Sequence, residues 1–193
     1  MSFRRRRVLL CLLAAALVAP IAAARAIRAD GTPSAPAQAL SAATMRALRL
    51  DPASVRTLGA YPGRSGGRFD VLYGRRAGGA ECLITVGYGS TGAGCGGLFA
   101  RGPVAILEGA TGGPALDRRS DMEVAGWARA NVARVAVVDT AGRWRWPGLN
   151  ENNAFLLEFT QAELQARVGP AELVAFDKSG AEVMRLDLAE PDS

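Results

Sequence analysis

Residues Val137-Val138-Asp139-Thr140-Ala141-Gly142-Arg143 and Val174-Ala175-Phe176-Asp177-Lys178-Ser179-Gly180-Ala181 share one pattern: an apolar run, Asp, two residues, Gly. Asp accepts a hydrogen bond from the backbone two residues on, and Gly supplies the positive φ that closes a tight hairpin. Two such turns predict antiparallel strands on either side of each. Working outward, six short strands are expected, at residues 122–127, 133–139, 143–146, 154–159, 172–176 and 182–188. Turn residues separate them at regular spacing, which points to an antiparallel sandwich. Residues 161–167 read as a helical turn with Leu164 and Val168 inward. Reading Asp139 and Asp177 as metal ligands would require further carboxylates at calcium-loop spacing, and these are missing.

Beside this pattern stands Arg143-Trp144-Arg145-Trp146. Alternation puts the tryptophans on one face of a strand and the arginines on the other. The simpler expectation buries Trp144 and Trp146 next to Phe155, Leu157 and Phe159, makes the arginines a charged outer face, and ends the strand at Pro147. The alternative exposes Trp146 as an anchor for a glycan or protein, since aromatic and Arg residues dominate binding hot spots. Trp127, Arg143, Trp144, Arg145 and Trp146 are the candidate partner-binding residues.

The N-terminus reads as an export signal. Arg4 to Arg7 precede the charge-free apolar run 8–24, and Ala24-Arg25-Ala26 has small residues where a signal peptidase reads. Residues 1–26 are therefore expected to be a cleaved signal peptide, with an uncleaved anchor as the rival reading. After cleavage no stable membrane span is expected. The chain carries 23 basic and 18 acidic residues. Arg4, Arg5, Arg6, Arg7 and Arg25 leave with the signal, so the mature balance is 18 against 18. The basic excess thus belongs to the signal, and no nucleic-acid partner is expected.

In an oxidising compartment the two remaining cysteines, Cys82 and Cys95, read as a disulfide. It would clamp the Gly-rich segment 86–94, expected to be a loop, and contribute about 3 kcal/mol. With no histidine in the chain and no C-x-x-C, an ordinary zinc site is not expected. Gly87-Tyr88-Gly89-Ser90-Thr91-Gly92 matches G-x-G-x-x-G, but glycines rather than a helix come after it, so no nucleotide cofactor is implied.

Upstream, residues 27–40 read as a disordered leader. Ser41 is placed to cap a helix over 42–50, and Asp51-Pro52 reads as the start of a second over 52–58. Phe69, Val71 and Tyr73, then Cys82, Ile84 and Val86, alternate as a hairpin. Residues 104–107 form a short strand, and 109–120 a loop or boundary.

The run from Gly126 to Gly142, with Asn153-Ala154-Phe155 and Ala175-Phe176-Asp177-Lys178-Ser179-Gly180, is similar to bacterial immunoglobulin-like modules of exported proteins. It also resembles a group of exported proteins of high-GC actinobacteria in which a disulfide-bonded Gly-rich segment precedes such a module. The resemblance spans residues 80–188 and lacks the acidic calcium-binding linker of common surface modules. It carries over no catalytic role.

The fold class expected is mainly β: an immunoglobulin-like sandwich over 119–189, preceded by a helix-plus-hairpin region over 41–118. Catalysis finds little support. The absence of histidine removes Ser-His and Cys-His nucleophiles, and Lys178, the one lysine, sits in a turn. A carboxylate pair stays open, with Asp121 and Glu123 read as a solvated strand edge. The expected function is a noncatalytic exported module of the cell envelope, binding an envelope protein or glycan. The alternatives are a carboxylate-based hydrolase or glycan-processing enzyme, and an inhibitor of an exported protease that inserts the Cys82–Cys95 loop.

Overall fold

A computed structural model describes residues 40–63, 67–87, 89–111 and 121–188, all within the unit Pro36–Ser193. The signal segment, the leader over 27–40 except its last residue, and the division near residue 118 lie outside the described residues. That last residue, Leu40, is buried in a core cluster, so it is not part of a disordered leader. Eleven strands and two short helices are described, and every strand pairing is antiparallel. The protein is thus mostly β. No described helix is long and apolar enough to cross a membrane.

Helix α1 (Ala42–Ala47) begins as its sequence implies, with the Ser41 hydroxyl accepting from Thr44 N–H at 3.0 Å. After α1 the chain enters a strand instead of the second helix expected at 52–58: β1 runs Leu50–Pro62. The local signals are nonetheless real. Asp51 Oδ1 accepts from Ala53 N–H at 3.0 Å, and the Ser54 hydroxyl donates to Asp51 O at 2.7 Å. These bonds close a turn-like bulge, and the register against the next strand slips between Asp51 and Arg56. Pairing along the rest of β1 outweighs a helix nucleus of two turns, which is costly alone.

The first sheet continues with β2 (Arg68–Arg76), β3 (Glu81–Gly87) and β4 (Ser90–Cys95), in the order β1-β2-β3-β4. The hairpin expected from Phe69 to Val86 is β2–β3. The Gly-rich segment, however, is no loop, because residues 90–95 form β4 in register with β3. Glycine is tolerated there because neighbours come close. A Cβ on Gly92 would stand 2.8 Å from Thr85 Oγ1 and 3.5 Å from Leu107 Cδ2.

The second sheet has the order β5-β6-β9, from β5 (Val104–Thr111), β6 (Asp121–Ala128) and β9 (Ala154–Phe159). The third, β11-β10-β7-β8, holds β7 (Val132–Asp139), β8 (Trp144–Arg145), β10 (Pro170–Asp177) and β11 (Glu182–Asp187). Between β9 and β10 lies α2 (Gln161–Gln165), with a capping box between Thr160 and Glu163.

The middle sheet is packed on both faces and carries two cores. Phe155, Phe159, Val104 and Val124 pack toward Val135, Val137, Leu173 and Ala175 of the third sheet. On the other side Ala125 and Ala154 meet Leu58, Val71, Tyr73 and Leu83 of the first sheet. A third cluster joins α1 to the outer face of the first sheet through Met45, Leu48, Leu72, Cys82 and Ile84. Three stacked sheets, with α1 against the outer face of the first, thus leave β2 and β3 covered on both sides, and their burial runs through consecutive residues instead of alternating.

Candidate binding surfaces

The two Asp turns build the platform for the aromatic pair. Asp139 Oδ1 accepts from the N–H groups of Ala141 and Arg143, each at 3.0 Å, and Gly142 takes φ 76°. Asp177 Oδ1 accepts from Ser179 N–H at 2.8 Å and Ala181 N–H at 3.0 Å, with Gly180 at φ 86°. These are the hairpin turns read from the sequence. Among the described residues no group of three or more His, Cys, Asp or Glu side chains could hold a metal ion.

The turn at Asp139 leads into β8, and there the structure inverts the simpler expectation. β8 pairs with β7, not with the strand carrying Phe155, Leu157 and Phe159. Its register sets Arg145 opposite the fully buried Val137 and Trp144 opposite Val138. Arg145 therefore points inward. Its guanidinium carbon lies 4.4 Å from the Phe159 ring centroid, Nη2 reaches Asp139 Oδ2 at 3.1 Å, and Nη1 reaches Glu163 Oε1 at 2.9 Å. Arg143 meets the same Asp139 oxygen at 2.9 Å but from an exposed position. Burial opposes charge on Asp139, yet the donors from Arg143, Arg145 and Ala141 outweigh it and hold the carboxyl below its usual range. Burial likewise opposes the Glu163 charge, and bonds from Thr160 and Arg145 hold that carboxyl low. A guanidinium inside is stable here because two carboxylates and a ring receive it.

With the arginine inside, the tryptophans face out: Trp144 is 45% and Trp146 51% exposed. Their rings stack at 5.7 Å and 23°, and both lean on Phe176, at 6.2 and 5.8 Å. Arg134 lies over Trp146 and Phe176 at 5.5 and 5.7 Å, and Arg185 over Trp144 at 6.0 Å. Arg185 is in turn held by Glu172 and by Glu182, the latter at 2.7 Å. The hydrogen bonds it donates to Glu182 and then Glu172 raise its pKa above the usual guanidinium value. Three rings framed by two cations thus cover the outer face of the third sheet.

Trp127 does not join them. Its Nε1–H donates to Asn152 O at 3.1 Å, and its ring meets Tyr73 and Phe99 at 5.4 and 5.3 Å. It sits in a cleft between β1 and the loop before β9. That loop is latched to β1 by two amides, since Nδ2 of Asn150 and of Asn152 donate to Leu58 O at 2.8 and 3.0 Å.

Cys82 and Cys95 are bonded, with Cα atoms 4.1 Å apart. They are direct partners in the β3–β4 register, and Gly96 N–H donates to Glu81 O next to them. This is the close, non-hydrogen-bonded pair of an antiparallel ladder, so the separation falls just below the common disulfide range of about 4.4 Å upward. The bridge ties two strands rather than closing a free loop, which corrects the expectation for 86–94.

The reading of Glu123 as solvated is also corrected. It is 3% exposed and lies opposite Glu158, also buried, in the β6–β9 register. Thr85 Oγ1 is 3.5 Å from its Oε1, and no described group hydrogen-bonds its Oε2. Burial, with added repulsion from Glu158, pushes its pKa up to about 7, against the lowering contact of Thr85. Glu123 alternates with Ala125 and Trp127, and Glu158 with Leu156. That shared inner face was the signal in the sequence. The pair lies in the packing between the first two sheets.

No family model, no curated protein and no solved structure matches this chain.

Proposed function

We propose that the chain is an exported, noncatalytic module of the cell envelope that binds an envelope protein or glycan through the outer face of its third sheet. The observation that carries the reading is the exposed, mutually stacked Trp144–Trp146 pair with Phe176, framed by Arg134 and Arg185. Trp and Arg are the residue types that supply most binding energy at interfaces. Stacking holds the rings in place beforehand, at about 0.5 to 1.5 kcal/mol per pair, so less ordering cost remains to be met on binding.

Export is supported by Arg4 to Arg7 before an apolar run and by the Cys82–Cys95 bridge. The immunoglobulin-like reading is supported by strand order. β5-β6-β9 faces β11-β10-β7-β8, and the chain passes from one sheet to the other after β6, β8 and β9. Seven antiparallel strands split three and four around one core is the architecture of that class. In this reading β5 is the module's first strand, and the β1–β4 sheet is a second layer fixed to its back.

Affinity capture from an envelope fraction tests the function. Wild-type protein is expected to retain a defined component that Trp144→Ser/Trp146→Ser protein does not, with both equally folded. Equal retention by the two would rule out the aromatic face as the binding surface.

A further inference from the structure

The cleft at Trp127 is separate from the tryptophan platform and has a volume of about 550 Å³, within the range of small-ligand sites. Its walls come from β1 (Arg56), the turn after β4 (Phe99), the end of β6 (Trp127), the residue just past it (Arg129) and the loop before β9 (Glu151, Asn152). Cations and rings alternate along it. The Arg56 guanidinium carbon lies 5.0 Å from the Tyr73 centroid and 5.6 Å from that of Trp127. Trp127 meets Phe99 at 5.3 Å, and Arg129 covers Phe99 at 4.6 Å.

The charge here is left open. Arg68, Arg143, Arg145 and Arg185 each meet a carboxylate. Among the described residues neither Arg56 nor Arg129 forms an ion pair, and both are exposed. Lying over a ring engages the flat face of a guanidinium and leaves its N–H edge to bind an oxyanion. The floor between the two edges is apolar, because the Trp127 N–H is already taken by Asn152 O. Glu151 stands exposed on the rim, an acceptor for hydroxyls and a repellent for a densely acidic peptide.

We propose that this cleft binds a short acidic sugar carrying one carboxylate per ring. Its carboxylates meet the edges of Arg56 and Arg129, its C–H faces lie on Trp127 and Phe99, and a hydroxyl donates to Glu151. The cleft's chemistry selects all three ligand features at once: a C–H face, an oxyanion and hydroxyls.

The test is a titration of the ¹⁵N-labelled exported protein followed by NMR, with digalacturonate as the probe. The Trp127 indole N–H resonance should move, while those of Trp144 and Trp146 stay in place and report an intact fold. Arg56→Gln and Arg129→Gln should each raise Kd about tenfold, the loss of one charge-assisted contact, and Arg46→Gln, exposed on α1 and outside both surfaces, should leave it unchanged. Three comparison ligands complete the experiment. A neutral disaccharide or inorganic phosphate shifting Trp127 as strongly as digalacturonate would overturn the assignment. So would tighter binding of a tetra-aspartate peptide, or no movement of Trp127 with digalacturonate.

Discussion

Replacing Glu123 by glutamine should stabilise the protein at pH 8 and remove most of a pH dependence that the wild type shows. Glu123 is an ordinary carboxyl near 4.5 when unfolded, and about 7 when buried opposite Glu158. The folded protein therefore holds this proton over a window in which the unfolded chain has lost it, so stability falls as pH rises. The stability is fully present below pH 4.5, declines toward pH 7, and is lost above it. At about 1.4 kcal/mol per pKa unit, reduced for residual water contact, the loss is about 2 to 3 kcal/mol. Glutamine keeps the shape and needs no proton. Urea unfolding from pH 5 to 8.5 reads this out, because the lowered carboxyls Asp139, Glu163, Asp177 and Glu182 titrate below the window. The wild-type midpoint should drop by roughly 1 to 2 M across the range. That of the variant should drop far less, keeping only the fall of the same sign from Glu108, whose carboxyl burial also raises against the lowering charge of Arg101. A wild-type midpoint that is flat, or a variant that falls in parallel, refutes the buried-carboxylate reasoning.

Arg145→Met and Arg143→Ala should separate by urea unfolding. The first strands Asp139 and Glu163 beside the core and should cost about 3 kcal/mol, while the second removes an exposed partner worth less than about 1 kcal/mol. Equal costs would contradict the inward placement of Arg145. Cys82→Ser/Cys95→Ser should lower stability by about 3 kcal/mol, and thiol titration of denatured wild type should find neither cysteine reactive. Asn150→Ala should cost about 1 to 3 kcal/mol by leaving the buried Ala154 N–H, which donates to Asn150 Oδ1 at 2.9 Å, without a partner. It should also shift the Trp127 indole resonance, since the latch it breaks holds the neighbouring loop, and an unmoved resonance would argue against that coupling.

The parts of the fold that were legible in the sequence rest on local chemistry. The Asp-to-Gly turns at 139–142 and 177–180 depend on one side-chain acceptor and one positive φ, both visible in residue types. Strands β2, β3, β9 and β10 were equally readable from their apolar residues, although their burial runs through consecutive residues instead of alternating. The orientation of β8 was not. Alternation separates Trp from Arg but does not say which side meets the core, and a two-residue strand at a sheet edge has little pairing of its own to decide. Asp139, Glu163 and the Phe159 ring decide it by receiving Arg145, and Glu163 and Phe159 are remote from β8 in sequence. The β1 misreading has a similar cause, because Asp51-Pro52 makes its local turn whether it opens a helix or a bulged strand. Likewise β4 was hidden because glycine propensity argues for a loop, whereas close approach by Thr85 and Leu107 favours glycine in that strand.

The outward tryptophan face is most directly tested by hydroxyl-radical footprinting, read by mass spectrometry with and without envelope material. Trp144, Trp146 and Phe176 should be strongly oxidised in the protein alone and protected when envelope material is added, while the fully buried Phe155 and Phe159 stay unmodified throughout. Tryptophans as unreactive as Phe155 in the free protein would contradict their placement, and undiminished oxidation with the envelope present would contradict binding through this face.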